Sequence, residues 1–108
     1  MNRWSVYVVR RRDGALYTGI STDVRRRIAE HAAARGRGAK ALRGRGPLRL
    51  VFQRTLGARG LALRVESAIK RLPKARKEQL IGRRSLADAL IKLARAGRRV
   101  RPERWKSA

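Results

Sequence analysis

Among the side chains that can transfer protons or neutralise negative charge, five are candidates for one common site: Tyr7, Tyr17, Arg27, His31 and Glu66. Phenol, imidazole and carboxylate groups act as acids or bases, and a guanidinium binds oxyanions through a planar fork of donors. Each residue also has an ordinary interpretation. The tyrosines can be half-buried strand residues, and Arg27 can be a solvated charge. His31 can be a core histidine with one satisfied hydrogen bond, and Glu66 can form a surface ion pair with Lys70.

Composition excludes several other kinds of site. The 108-residue sequence has no cysteine and one histidine, so we expect neither a disulfide framework nor a zinc cluster of the usual type. No glycine-rich loop carries the lysine and the serine or threonine of a nucleotide-binding turn. Seven acidic residues are present, and no two are spaced as a catalytic carboxylate pair. A functional site on this chain must therefore be built from few acidic side chains and many cationic ones.

The charge indicates a polyanionic partner. Thirty Lys and Arg against seven Asp and Glu give a net charge of +23, a field that attracts nucleic acid. Arginine accounts for 24 of the 30 cations, so coding bias can contribute, but it does not explain the scarcity of acids. An anionic membrane surface is the second candidate partner. No apolar stretch approaches the roughly 20 residues that span a bilayer, and we expect a cytoplasmic, nucleoid-associated protein with no membrane partner.

The predicted elements place the two tyrosines on adjacent strands. Residues 5–9 alternate as a strand that contains Tyr7, and Asp13-Gly14 is a hairpin signal. The returning strand, residues 15–18, is expected to stop at Gly19, where the backbone can pass close to another group.

A helix follows the hairpin. Ser21 or Thr22 can cap it, and Asp23 suits the positive end of its dipole. Arg27 and His31 then lie one helical turn apart on one margin of its apolar face. The spacing therefore predicts that these two side chains stack together.

Residues 35–47 interleave glycines with cations and predict a basic loop. Two interpretations stay open: a solvated connection, and a flexible phosphate clamp in which glycine lets backbone and guanidinium groups approach the polyanion together. The candidate nucleic-acid-binding residues are the cations of this loop together with one on a later helix: Arg35, Arg37, Lys40, Arg43, Arg45 and Lys70.

The second half of the chain predicts one strand and three helices. In residues 48–55, Leu48, Leu50 and Phe52 alternate with other residues as the buried face of a half-buried strand. A helix over residues 59–72 places Glu66 on the rim of its buried stripe.

Two further helices are predicted near the end of the sequence. Pro73 opens a short helix that ends before Gly82. Ser85 with Asp88 resembles a capping box at the start of the last helix, and the tail from residue 98 onward is basic.

This order predicts an α+β fold with a small three-stranded antiparallel sheet flanked by helices. We expect residues 1–82 to form the main domain. Residues 83–108 would then be a C-terminal helix and basic tail that pack on or extend that domain.

In this order and spacing, Val6-Tyr7-Val8, Tyr17-Thr18-Gly19, Arg27, His31 and a lone Glu66 resemble the GIY-YIG nuclease family. The chain is similar in particular to its small stand-alone bacterial members, a likeness that covers residues 4–81 and includes residues 38–44. Two departures are visible: Ser5-Val6-Tyr7 lacks the leading glycine, and Thr18 replaces the isoleucine of the second triplet. The late asparagine of some members has no counterpart, because Asn2 is the single asparagine.

The resemblance implies a metal-dependent DNA endonuclease that hydrolyses phosphodiester bonds. Glu66 would bind Mg²⁺ or Mn²⁺, and Arg27 would neutralise the phosphorus centre. Tyr7 would position or deprotonate the attacking water with support from Tyr17, and Arg27, Lys40 or the metal would lower its pKa from the usual value of about 10. His31 would shuttle the proton or bind phosphate.

The expected substrates are flap, nicked or branched DNA, with RNA as a second possibility and DNA repair as the setting. No small-molecule cofactor is expected, and the protein would be a monomer or a weak dimer. Two alternatives remain: a non-catalytic DNA- or RNA-binding module of the same fold, and a structural RNA-associated protein.

Overall fold

The computed structural model describes residues 3–32 and 47–99. The predicted basic loop lies outside these ranges, and with it five of the six candidate nucleic-acid-binding residues: Arg35, Arg37, Lys40, Arg43 and Arg45. The phosphate clamp therefore stays a prediction.

Within the described ranges, strands and helices follow one another in the predicted order, and the α+β fold is confirmed. The elements are β1 (Trp4–Arg10), β2 (Leu16–Ser21), α1 (Val24–Ala32), β3 (Arg49–Gly57), α2 (Arg59–Lys70), α3 (Lys74–Gly82) and α4 (Arg84–Arg95).

The three strands form one antiparallel sheet in the order β2-β1-β3. The register places Tyr7 of β1 directly opposite Gly19 of β2 and opposite Gln53 of β3. Because side chains alternate along a strand, the two faces of β1 point to different surroundings. Tyr7 is therefore set on the opposite face from Val6 and Val8.

The two faces of the sheet are covered by different helices. Val6 and Val8 pack into the main hydrophobic core, to which α2, α3 and α4 contribute buried leucine, isoleucine, valine and alanine side chains. Tyr7 and Val9 belong to a smaller cluster on the other face, where Val24 of α1 is buried against them. The central strand β1 is buried on both faces, which fixes the position of Tyr7.

Two details at the start of the site differ from the prediction. Strand β2 continues through Gly19 to Ser21, because Gly19 pairs with Tyr7 in the ladder and does not end it. Helix α1 is capped by Asp23, whose carboxylate accepts the backbone N–H of Arg26 at 3.1 Å. The Ser21 hydroxyl instead accepts the backbone N–H of Asp23 at 2.9 Å, so neither Ser21 nor Thr22 supplies the cap.

The predicted buried face of the third strand is confirmed for Leu48 and Phe52, which pack against the two clusters, and is wrong for Leu50. The pairing with β1 shifts between Val8 and Val9, so that the partner changes from Phe52 to Leu50 and Val51 is an extra residue. Such a bulge breaks the two-residue alternation. Val51 and Phe52 consequently both pack against the main core, whereas Leu50 is 40% exposed.

The capping box predicted for the last helix is absent. Helix α4 begins at Arg84, and its N-cap residue Arg83 makes no side-chain capping hydrogen bond. Asp88 instead accepts a hydrogen bond from Arg54 of β3 at 3.0 Å. The preceding helix α3 runs through Gly82 and does not end before it.

No helix in the described ranges is long and apolar enough to cross a membrane.

Candidate active site

Tyr7 lies flat against the backbone of Gly19. A Cβ atom at position 19 would be 2.5 Å from the Tyr7 hydroxyl oxygen and 2.7 Å from Cζ, closer than real side-chain contacts allow. The expectation that the backbone passes close to another group at Gly19 is confirmed, and that group is the phenol. Glycine at this position leaves room for the phenol beneath the strand.

Tyr7 and His31 share a buried hydrogen bond of 2.9 Å between the hydroxyl and Nε2. Tyr7 is 1% exposed and His31 is 0% exposed. Burial is the main cause that raises the pKa of Tyr7 to about 12 and lowers the pKa of His31 below its usual value. Both shifts favour the neutral forms, and in the tautomer that leaves Nε2 unprotonated the Tyr7 O–H donates to it.

Arg27 lies beside this pair. Its hydrogen bond and charge lower the pKa of Tyr7, and its charge lowers the pKa of His31. The guanidinium also donates from Nη1 to Glu30 at 3.1 Å, and its side chain is 35% exposed. Arg27 therefore reaches from the buried pair to the surface, and it stands next to His31 as the helical spacing predicts.

The expected direction of the Tyr7 pKa shift is reversed. The predicted lowering by Arg27 is present, but desolvation is larger, and the charges of Tyr17 and Glu66 raise the pKa further. A buried phenol loses the hydration that would stabilise its anion, and one neighbouring cation does not offset that loss here.

Tyr17 completes an aromatic cluster around the histidine. Its ring meets the His31 ring edge-on, with the centroids 5.4 Å apart and the planes at 66°. Tyr17 is partly buried and packs with Tyr7 on the same face of the sheet. Of the two phenols, Tyr17 is the one with surface left exposed to a substrate.

Glu66 comes from the helix on the other side of the sheet. Its side chain is 18% exposed, and its carboxylate lies 3.4 Å from Nζ of Lys70. Its charge nevertheless acts on Tyr7, where it raises the pKa. The rim position predicted for Glu66 on its helix is therefore confirmed by its neighbours Val65 and Ile69, which are both buried.

The donor set suits one kind of metal ion. Within the described ranges no three His, Cys, Asp or Glu side chains are grouped to hold an ion, so Glu66 would be a lone protein ligand. Mg²⁺ suits such a site, because it keeps several waters and is commonly held by one or two carboxylates with phosphate oxygens. The chemistry of Glu66 thus fits a magnesium-type ion that a substrate phosphate helps to hold.

The fold brings Tyr7, Tyr17, Arg27 and His31 together around one hydrogen bond, with Glu66 near enough for its charge to act on Tyr7. The ordinary interpretations of two residues hold as well. His31 is a buried histidine with a satisfied hydrogen bond, and Glu66 pairs with Lys70. Geometry alone therefore accommodates both a catalytic site and a polar core.

Sequence reasoning missed Glu30. Its carboxylate accepts from Arg27 and also lies 3.9 Å from Nε of Arg26. The signal was available, because residues three and four apart on a helix are neighbours on its surface. Glu30 holds the guanidinium of Arg27 at the edge of the site.

Comparison with known proteins identifies the class. The family described as the GIY-YIG catalytic domain matches residues 3–79. The chain belongs to the GIY-YIG family of nucleases, as the resemblance in the sequence indicates.

The relatives are small bacterial proteins. The UPF0213 protein YhbQ of Salmonella typhimurium is 50% identical over 91 residues, which cover 84% of this chain and 89% of the relative. The UPF0213 protein of Cronobacter sakazakii is 56% identical over 81 residues, covering 75% and 83% of the two chains. The solution NMR structure of a UPF0213 protein from Bacillus halodurans is 45% identical, covers 76% and 84%, and has a TM-score of 0.49.

Proposed function

We propose that this protein is a divalent-metal-dependent endonuclease that hydrolyses phosphodiester bonds in DNA. The observation that carries the proposal is the cluster of Tyr7, Tyr17, Arg27 and His31 around one buried hydrogen bond, with the Glu66 charge acting on it. Membership of a nuclease family and a net charge of +23 both support this partner, a polyanion of phosphodiesters.

Arg27 is the group that meets the scissile phosphate. Its side chain is 35% exposed and held on one side by Glu30, so it presents a fixed cation at the surface of the site. A guanidinium placed in advance stabilises the negative charge that develops at phosphorus without reorganising. Removing one such donor typically lowers the rate by about 10²- to 10³-fold.

Tyr7 and His31 act together as the acceptor for the proton of the attacking water. The water proton passes to the Tyr7 oxygen while the Tyr7 O–H proton passes to Nε2 of His31, so that no free phenolate is needed. This supports a base role although the pKa of Tyr7 is raised to about 12.

Glu66 would hold the metal ion. A divalent ion there would supply Lewis-acid stabilisation of the leaving oxygen. Lys70, 3.4 Å from the carboxylate, places a cation beside the proposed metal site, where it would contact the phosphate backbone. Tyr17 orients the Tyr7–His31 pair by its edge contact with the imidazole.

We also propose that the enzyme selects DNA by backbone shape, with flaps, nicks and branches as its substrates. Contacts from arginine and lysine to phosphate carry no base information, and cations dominate the charged side chains of this chain.

Cleavage assays test the proposal directly. Labelled duplex, nicked, flap, branched and single-stranded DNA are incubated with Mg²⁺, with Mn²⁺ or with EDTA. We expect metal-dependent cutting that Arg27→Ala slows by about 10²- to 10³-fold and Glu66→Gln abolishes, while the other cations of the chain keep the DNA affinity. Asp88→Asn is the matched control, because Asp88 is another acid paired with a cation, at 3.0 Å from Arg54, and it should cut normally.

Tyr7→Phe and Tyr17→Phe separate the two phenols. Tyr7→Phe should slow cleavage by about 10²- to 10⁴-fold, the usual contribution of a general base, and Tyr17→Phe should cost less. Equal rates for Tyr7→Phe and the wild type would refute the proton-transfer role.

The binding module of the same fold is the second candidate. The ion pair between Glu66 and Lys70 and the satisfied hydrogen bond of His31 favour it, because both give these residues a structural use. DNA binding without cleavage of any substrate, unaffected by Glu66→Gln, would establish the module instead.

A further inference from the structure

Four arginines surround a surface depression on the side of α2 that faces away from Glu66. One lies on α2, one is the C-cap of α2 and two follow α4: Arg64, Arg71, Arg98 and Arg99. The floor is apolar and includes Ala68 and Ala94, both buried. No acidic side chain of the described residues lines this depression. We call it the arginine depression.

The end of α4 holds two of these arginines in place. Gly97 has a φ of 72°, a left-handed conformation that glycine adopts readily. The N–H of Arg98 donates to the carbonyl of Leu93 at 2.9 Å, and the N–H of Gly97 donates to that of Ala94 at 3.1 Å. These two bonds form a Schellman motif, which turns the chain back toward α2.

Arg64 ties the two helices together. Its Nε donates to the backbone carbonyl of Ala94 at 3.2 Å, so the guanidinium lies at the C-terminal end of α4. Cations near helix C-termini are favoured by the helix dipole. The dipole accounts for one or two cations, and four arginines with no acidic side chain among the lining residues give the depression a positive charge that attracts an anion.

We propose that the arginine depression is a second contact site for the DNA backbone, with a phosphate held by the guanidinium groups and its sugar against the apolar floor. The proposal rests on DNA as the partner in the proposed function. Arg71 lies about 140° around α2 from Glu66, since successive helical residues turn by about 100°. The DNA would therefore cross α2 and be held on both of its sides.

The second site lies partly beyond the family domain. The family match ends at residue 79, whereas Arg98 and Arg99 follow α4. A contact there would increase the affinity for DNA outside the cleavage site. It would also determine how far the DNA must extend from the cleaved bond.

Binding measurements in EDTA isolate this contact from cleavage. The variant Arg71→Gln/Arg99→Gln removes one arginine from each side of the depression. The control Arg12→Gln/Arg84→Gln removes two exposed arginines elsewhere, at the β1–β2 turn and at the start of α4. Affinity for a duplex is measured by fluorescence anisotropy over a range of salt, with thermal unfolding run in parallel to show that both variants fold.

The site variant should make the negative slope of log affinity against log salt shallower by about 2, since each phosphate contact contributes about −0.9. The control should change it by less than half as much. Equal slopes for both variants would overturn the second contact site and leave the nuclease proposal untouched. Binding by the wild type without cleavage in Mg²⁺ would overturn the nuclease proposal, and the slope comparison would still decide the arginine depression.

Discussion

Burial favours the neutral forms of both Tyr7 and His31. The stability of the folded protein should therefore depend on pH in alkaline solution, through Tyr7, and in acidic solution, through His31. The raised Tyr7 pKa gives stability that is fully present below the usual value of 10.0 and is lost as the pH rises toward about 12. The lowered His31 pKa gives stability that is present above its usual value of 6.5 and is lost as the pH falls. The pair is intact between these limits.

The ionisation of Tyr7 can be measured directly, because the chain has two tyrosines and the second serves as a reference. In an absorbance titration of tyrosinate, one phenol of the wild type should ionise near pH 12, and that step should be missing in Tyr7→Phe. From pH 10 to 12 the wild type should lose about 2–3 kcal/mol of unfolding free energy more than Tyr7→Phe does. Two phenols that both ionise near 10 would contradict the buried hydrogen bond.

Substitution of Gly19 tests how closely Tyr7 packs against the backbone of β2. Gly19→Ala would place a methyl group 2.5 Å from the Tyr7 hydroxyl oxygen, and both β1 and the buried ring resist displacement. We expect a loss of about 1–3 kcal/mol of unfolding free energy in urea denaturation, together with loss of cleavage.

The matched control is Gly60→Ala in α2. There the nearest heavy atom to the added Cβ is Nη1 of Arg64 at 3.7 Å, an ordinary contact. Alanine in a helix should stabilise the protein by up to about 1 kcal/mol. Equal effects of the two alanine substitutions would mean that Tyr7 does not pack on Gly19.

At the scale of elements, the sheet and the helices were predictable because their apolar periodicities are regular. The clearest case is β1, where Val6 and Val8 face one core and Tyr7 the other. The failures fall where a local pattern depends on a distant partner. The bulge in β3 is decided by pairing with β1, and Asp88 joins Arg54 because the fold brings the third strand to α4.

The site shows the same division. Arg27 and His31 could be placed together by helical spacing alone, because they belong to one helix. The hydrogen bond between Tyr7 and His31 spans 24 positions, and the direction of the Tyr7 pKa depends on burial that no sequence window contains. The sequence therefore predicted which groups meet but not how they ionise.

We propose that α4 belongs to the same folding unit as the sheet, although the family match ends before it. Leu90 is 1% exposed in the main core. Leu90→Ala should therefore cost about 2–5 kcal/mol of unfolding free energy, measured by urea denaturation. Leu50→Ala, on a strand residue that is 40% exposed, should stay within about 0.5 kcal/mol. A chain ended at residue 82 that unfolds with the wild-type free energy would show α4 to be an appendage.

At the scale of the whole molecule, the acidic side chains in the described ranges form ion pairs or cap a helix. Six of the seven acidic residues lie in the described ranges. Five accept from a cation: Asp13, Glu30, Glu66, Glu78 and Asp88. The sixth, Asp23, caps α1. These carboxylates stabilise the turn, the helices and the site, while the excess of cations sets the field of the molecule at +23.

This charge predicts opposite salt effects on the free and the DNA-bound protein. Self-repulsion destabilises the free protein, and salt screens it, so the melting temperature of the free protein should rise between low salt and about 1 M salt, where the Debye length is about 3 Å. Bound DNA should stabilise the protein by about 2.7 kcal/mol at a hundred times Kd in low salt, because it binds the folded state. That stabilisation should vanish at high salt as counterions compete for the phosphates.

The melting temperatures of the free protein and of the complex should therefore converge as salt increases, because that of the complex falls and that of the free protein rises. Differential scanning fluorimetry with and without a duplex measures both, and an uncharged polymer of similar size is the control for crowding. A DNA effect that persists unchanged at high salt would mean that apolar or base contacts hold the DNA. In that case the charge of +23 would serve solubility, and the proposal that the arginines bind the phosphates of DNA would be refuted.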